Sequence, residues 1–225
     1  MGTEMTTATT NSSSARSEIL RRVRVAQGGT SDATAAQAAW NRIAREYRRS
    51  AALTPQALLD LLEDRLRDYD AHVIRVQRGD VAEAVTKMLV TRGKHRMVVP
   101  NGIQTAWLPD NFEFVIDNGM TPAELDEFDG VLTDSTVAIA ETGTVVLQNV
   151  SGQGRRAVTL VPDYHLCLVD AENVVETVPE AIDRLRDTAE VATTFFSGPS
   201  ATADIEMTRI KGVHGPRHLD VILIV

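Results

Sequence analysis

The 225-residue sequence predicts an α/β domain with a largely parallel sheet, preceded by a helical arm. Three observations carry that prediction. From residue 72 onward, strand-like and helix-like segments alternate with short links, the pattern of βαβ units. Upstream, three segments repeat apolar residues at helical spacing. The chain closes on HLDVILIV, whose last five residues are all apolar, and such a run needs the cover that a sheet interior gives.

The elements follow in order. SEILRRVRVA (17–26) places Ile19, Leu20 and Val23 on one helical face and is stopped by Gly28 and Gly29. AAQAAWNRIAREYRRS (35–50) predicts a second helix, with Trp40, Ile43, Ala44 and Tyr47 on one face. The third, 54–70, opens with Thr54 as N-cap and Pro55 at the first helical position, and Leu58, Leu61, Leu62 and Leu66 form its apolar stripe. Strands are expected at 72–76, 96–100 and 112–117, with helices at 80–93 and 121–129 and a short helix or turn at 101–108. From Gly130 the chain turns β-rich, with strands at 137–141, 144–148, 157–162 and 165–170. A helix at 178–191 and strands at 193–198 and 218–225 complete the pattern. Residues 1–15, biased to Thr, Ser and Ala, read as a disordered tail, and 16–70 as a helical segment packing on a main domain of residues 71–225.

Composition excludes several classes. No apolar run approaches the 18 or so residues that span a bilayer, and the amino terminus lacks the basic start and apolar stretch of a secretory signal. The single cysteine, Cys167, cannot form an internal disulfide, an iron–sulfur cluster or a cysteine zinc site. It lies in a strand-like stretch and reads as a buried, inert thiol in a cytoplasmic chain. The five histidines show neither HxxxH nor HExxH spacing, so no metal is expected, and no cofactor motif is present. The net charge of −8 is uneven. Residues 16–50 hold eight arginines against three acids, whereas the body is strongly acidic. The basic arm has two readings, recruitment of an acidic partner or contact with its own body. An acidic chain without an aromatic-rich basic stripe is not expected to bind nucleic acid.

Two segments carry candidate chemistry. In AETGTVVLQ (140–148), Glu141 ends a strand, where a carboxylate could serve as nucleophile or general base, or merely cap a turn. Gly143 permits close approach or a positive φ, and Thr142 and Thr144 add hydroxyls. In GPSATADIEMTRIKGVHGPR (198–217), Gly198 and Pro199 make a turn, and Ser200 leads toward backbone N–H groups that attract phosphate or carboxylate. Asp204 and Glu206 could fix the loop or oppose the anion. His214, between Gly212 and Gly215, can act as acid, base or ligand, or be simply exposed. Arg217 closes the stretch. No GxxxxGK[ST], GxGxxG after a strand, or GxSxG occurs, and GQGRR (152–156) is too short for a phosphate loop.

AIAETGTVVLQ (138–148), RRAVTLVP (155–162) and SGPSATADIEMTRIKGVHGP (197–216), with SEILRRVR near the start, closely resemble the lactate-utilisation LutC family, also called YkgG or LUD-domain proteins. The resemblance runs over roughly residues 16–225. It implies a three-layer α/β/α fold like that of the glucosamine-phosphate isomerase, ribose-phosphate isomerase and CoA-transferase group, with a mostly parallel sheet. It also implies a place in a cytoplasmic system that oxidises L-lactate to pyruvate, in which sister proteins carry iron–sulfur motifs. The resemblance joins the two segments, 141–144 and 198–215, into one small-anion cleft, with Glu141 and His214 as catalytic candidates. Three functions follow as expectations: an accessory subunit to the iron–sulfur partner proteins; a stand-alone acyl- or CoA-handling transferase or sugar-phosphate isomerase using Glu141; or a sensor binding a small organic acid or phosphate-bearing ligand.

Overall fold

The structure, a computed structural model, describes residues 12–28, 32–202, 210–212 and 214–225. It divides into two units, Met1–Tyr47 and Arg48–Val225.

The first unit holds α1 (Ser12–Ala26) and α2 (Ala33–Asn41). On α1, Glu18 accepts hydrogen bonds from Arg21 and Arg22, one turn on. The Asp32 carboxylate caps α2 by accepting from the Thr34 N–H at 2.9 Å. The helix expected over 35–50 ends at Asn41. Arg45 is the physical reason. Its guanidinium lies 4.6 Å from the Trp40 ring centroid and donates to the carbonyls of Trp40 and Ile43, acceptors that a continuing helix would need.

The second unit begins with α3 (Pro55–Asp68), capped by Thr54 with Pro55 in its first turn. Then come β1 (His72–Val76), α4 (Val81–Arg92), β2 (Arg96–Val99), β3 (Glu113–Ile116), α5 (Pro122–Leu125) and β4 (Gly130–Thr133). Next are β5 (Val137–Ile139), β6 (Thr144–Gln148), β7 (Tyr164–Asp170), β8 (Val174–Val175), α6 (Val178–Arg184) and β9 (Thr193–Phe196). The short β10 (Ala201–Thr202) and β11 (Ile210–Lys211) precede β12 (His218–Ile224). Capping boxes start both short helices, Thr121 with Glu124 and Thr177 with Glu180.

The main sheet has the order β1-β12-β7-β4-β2-β3, and every pair in it is parallel. The apolar carboxyl-terminal strand is central, between β1 and β7, and so has the expected cover. One face packs against α4, whose Val85, Met88 and Leu89 meet Met97, Leu132, Leu166 and Ile222. The other face meets α3 through Leu59, Leu62 and Leu66, together with a smaller sheet of order β8-β5-β6-β9. In that sheet β6 is antiparallel to both its neighbours, and Ala181 of α6 and Leu185 just after it pack on Val137, Ile139 and Val146. Helices on both sides of a mostly parallel sheet give the α/β class that the sequence predicts.

The strand expected over 157–162 is instead a 3-10 turn, Arg156–Thr159. Its N–H groups bond locally, Val158 to the Arg155 carbonyl and Leu160 to that of Ala157. Val158 drops into a cluster with Val98, Leu125, Phe128 and Val131. The preceding Arg155 is locked by a two-bond clasp on Asp117, each bond 2.8 Å. The alternation of AVTLVP therefore serves a buried turn, not a ladder. The carboxyl end of the expected 178–191 helix is likewise a 3-10 turn, Arg186–Thr188.

Candidate functional site

The site is built where β9 leaves the smaller sheet and crosses the main one. After Phe196 the chain turns at Gly198, whose φ is +74°. A Cβ there would lie 2.5 Å from the Tyr69 Cβ and 2.6 Å from its carbonyl oxygen, so the turn is pressed against the end of α3 and needs glycine. Ser200 then fastens the two ends of the long stretch together. Its N–H donates to the Pro216 carbonyl at 2.8 Å, its carbonyl accepts from Gly212 N–H at 3.0 Å, and its Oγ accepts from His214 N–H at 2.9 Å.

Between these segments and the face of the main sheet lies a cavity of about 280 Å³. That is just below the range of small-molecule sites, which begins at about 300 Å³. Gly198, Pro199, Ser200, His214 and Gly215 all line it, so the structure brings these five predicted residues together. The floor comes from His165 and Leu219, the second residues of β7 and β12, and Arg156 and Thr159 enter from the 3-10 turn. The cavity thus lies over the amino-terminal halves of these strands.

Arg156 has no carboxylate partner among the described residues. Its Nη1 donates to Thr159 Oγ1 at 3.1 Å, while that hydroxyl donates back to the Arg156 carbonyl, which holds the guanidinium in place. Burial without an anion lowers its pKa from the usual guanidinium value. His165 is only 3 % exposed. Its Nε2 is 2.8 Å from Thr133 Oγ1, and the Phe196 ring lies tilted 5.3 Å away. Burial, and then the Arg156 charge, push its pKa down to about 3, so the ring is neutral.

The other predicted residues lie elsewhere. Glu141 follows β5, with its side chain 53 % exposed and 3.8 Å from the Arg48 guanidinium, and it is absent from the cavity lining. Arg48 bonds the buried Glu176, whose other oxygen accepts from the N–H groups of Ala52 and Leu53 at 2.6 and 2.8 Å. Gly143, with φ +60°, is pressed on α3, where a Cβ would lie 2.7 Å from the Arg65 Cβ. Thr142 and Thr144 do reach toward the cavity. Their hydroxyls are 2.7 Å apart, and Thr144 Oγ1 is 2.7 Å from the Oγ of Ser197, a lining residue. A chain of hydroxyls therefore links the two loops, but the Glu141 carboxylate stands apart from it. Arg217 pairs with Asp163 beside an adjoining hollow, and Gly212 lies against the Arg217 side chain. Asp204 and Glu206 fall outside the described residues.

Sequence reasoning missed Arg156, Thr159 and His165. The signals were present. RRAVTLVP carries the arginine, and His165 interrupts a run of apolar residues in YHLCLVD. Cys167, by contrast, is buried as expected, and burial raises its thiol pKa above the ordinary value. Among the described residues, no group of three or more His, Cys, Asp or Glu side chains is placed to hold a metal ion. Nor is any helix among them long and apolar enough to cross a membrane.

Residues 121–224 match the family model of the LUD domain. Lactate utilization protein C of Deinococcus radiodurans is 40% identical over 177 residues, which cover 77% of this chain and 82% of that protein. Lactate utilization protein C of Bacillus velezensis is 27% identical over 201 residues, covering 80% and 83% of the two chains. A crystal structure of a DUF162 family protein from Deinococcus radiodurans superimposes with a TM-score of 0.68 at 34% identity, covering 77% of this chain and 100% of the other. The turn that carries Arg156 and the strand that carries His165 both lie inside the matched domain, and with the Deinococcus relative aligned over most of both chains, this chain belongs to the lactate utilization protein C family of LUD-domain proteins.

Proposed function

We infer that the chain is an accessory subunit of lactate utilization. Iron–sulfur partner proteins carry the electrons in the oxidation of L-lactate to pyruvate. This chain holds a small anion in the cleft bounded by 198–200 and 214–215. The observation that carries the reading is the Arg156 guanidinium, on the wall of a half-open cavity and without a carboxylate partner among the described residues. A desolvated cation without a counter-charge is stabilised by an anionic ligand. The pathway comes from the names of the relatives. The iron–sulfur partners are what the family resemblance implies, and with one thiol this chain has no cysteine set for a cluster of its own. A transferase built on a Glu141 nucleophile draws less support, because that carboxylate sits outside the cavity beside Arg48.

The test is genetic and biochemical. A strain lacking the chain should fail to grow on L-lactate as sole carbon source and recover when the full chain is restored. The tagged chain should capture proteins whose eluate contains iron and acid-labile sulfide. Undiminished growth of the deletion strain would end the reading. Lost growth without captured iron–sulfur protein would end its partnership half.

A further inference from the structure

We propose that the free edge of β9 takes an added strand, an extended peptide segment of a partner protein whose acidic side chain reaches Arg156. This rests on the small-anion reading above and names the carrier of the anion, a peptide side chain.

The first observation is a contrast among sheet edges. The two larger sheets end in β1 and β3 and in β8 and β9. An open edge invites pairing, and proteins blunt it with charge or by keeping the strand short. β1 carries Arg75, held by Asp60 and Glu63. β3 carries Glu113, which accepts from Arg96 at 3.1 Å. β8 is only Val174–Val175. β9 has neither device. From Val191 through Ser197 the chain reads VATTFFS, without charge or proline, and Phe195 is 47 % exposed.

The second observation is the direction of the β9 backbone. The N–H of Asn149, just past β6, donates to the Ala192 carbonyl at 3.0 Å, whereas that of Gln148 turns away to Gln153 Oε1 at 2.7 Å. With Leu147 opposite Thr194 and Val145 opposite Phe196, the alternation of an antiparallel ladder gives Thr194 and Phe196 to β6. The N–H and C=O groups of Thr193 and Phe195 therefore face the outer edge, where no strand among the described residues pairs with them.

The third is what flanks that edge. The cavity and an adjoining hollow of about 330 Å³ run along β9 and share Arg156, Thr159 and Thr194. The Phe196 ring faces His165, and by alternation Thr194 is on the same side. An added strand lies about 4.8 Å from β9, so its side chains on that side enter the two hollows. One beside Thr194 meets the Arg156 guanidinium, which lacks a carboxylate partner among the described residues. The next on that side, two positions along, meets Phe196 and Leu219. The edge supplies affinity and the hollows supply choice, an acidic residue two positions from an apolar one. A free inorganic anion would use the guanidinium and leave the edge unpaired.

The experiment is fluorescence anisotropy of the full chain with a labelled octapeptide of alternating threonine and valine, in which glutamate replaces one central valine. It should bind, and its glutamine twin should bind roughly tenfold or more weakly. R156A should erase that difference. F195P removes an outward N–H without touching the ladder to β6, and should abolish binding, whereas F195A keeps the N–H and should bind at least tenfold tighter than F195P. Should F195P fail to fold, N-methylated peptides decide with the unaltered chain. Methylating alternate residues strips the donors from one peptide edge. One of the two alternate patterns should abolish binding and the other preserve it. No binding of the glutamate peptide would overturn the proposal, as would equal affinity of its glutamine twin, or tolerance of both methylation patterns. Dimerisation that F195P removes, with no peptide bound, would give the edge to a second copy of the chain and overturn it too. If acetate binds in an Arg156-dependent way while no peptide does, this proposal falls and the small-anion reading stands.

Discussion

Tyr164 and His165 are consecutive residues of β7, and their side chains enter opposite faces of the sheet. On one face, Tyr164 is buried beside Asp220, whose carboxylate is 1 % exposed. The Tyr164 hydroxyl donates to Asp220 Oδ2 at 3.0 Å, and Arg92 clasps both carboxylate oxygens at 3.0 and 2.6 Å. Every charge there has its opposite. On the other face, His165 and Arg156 meet a cavity, and among the described residues that line it the guanidinium has no carboxylate beside it. Two polar clusters built on one strand thus differ in closure. The closed one satisfies its own donors and acts as a structural pin. The open one holds a guanidinium without a carboxylate partner among the described residues, which is what a site completed by an anion would show.

Breaking the closed cluster should have the largest effect. D220A leaves Arg92 and the Tyr164 hydroxyl without their acceptor. Loss of one partner of a buried pair costs about 3–5 kcal/mol. Urea denaturation should show that loss, and a cost near that of a surface substitution would mean that the cluster is not a pin.

The open cluster has a pH signature instead. The folded-state pKa of His165 is depressed to about 3, whereas in the unfolded chain it returns to about 6.5. Between those values the unfolded state binds a proton that the folded state does not. Stability is therefore fully present above about pH 6.5 and falls as the pH drops toward 3. One such group contributes roughly 1.4 kcal/mol per pH unit, so about 2 kcal/mol by pH 5. H165Q should remove that increment from the difference between urea curves at pH 8 and pH 5, leaving the slope due to carboxylates. Identical slopes in the two proteins would mean that the ring is solvated and the cluster less enclosed than described. Y164F is the smaller counterpart across the sheet. It deletes one donor while Arg92 still holds Asp220, and should cost about 1 kcal/mol, with little change between those pH values.

The same contrast explains how much could be read from the sequence. Elements announced by local chemistry were legible. Thr54 and Pro55 start α3, Gly93 ends α4 in the left-handed region, and the apolar run at the chain end lies in the sheet centre. Elements decided by a distant partner were not. Nothing near residue 45 says that its guanidinium will fold back on Trp40 and end α2. Nothing in AVTLVP says that Val158 will be drawn into a cluster with Leu125 and Phe128, which turns an apparent strand into a 3-10 turn. The site followed the same rule. Gly198, Ser200 and His214 were visible as an unusual loop, and they do line one cavity. Arg156 in RRAVTLVP and His165 in YHLCLVD carried a signal, but what joins them into a site is the cavity they share, a property of the folded arrangement and not of either residue. Glu141 shows the converse. Its position after a strand looked chemical, but the fold gives it Arg48 as a neighbour and a solvent-facing side chain.

The smallest expected effect on stability is also the sharpest test of the contrast. Arg156 is partly desolvated and has no ion pair among the described residues to lose, so R156A forfeits only the bond to Thr159 and the packing of the side-chain stem. Removing a cation that no neighbour neutralises offsets much of that loss, and the change should stay within about 0.5 kcal/mol. An arginine that served the fold as Arg92 does would behave quite differently, with a loss comparable to that of D220A. A large loss in R156A would therefore place Arg156 with the closed cluster and remove the physical basis for an anion in the cavity. A near-silent R156A, paired with a costly D220A, would mean that two arginines reaching the same strands are held there for different reasons, one by the fold and the other for a ligand.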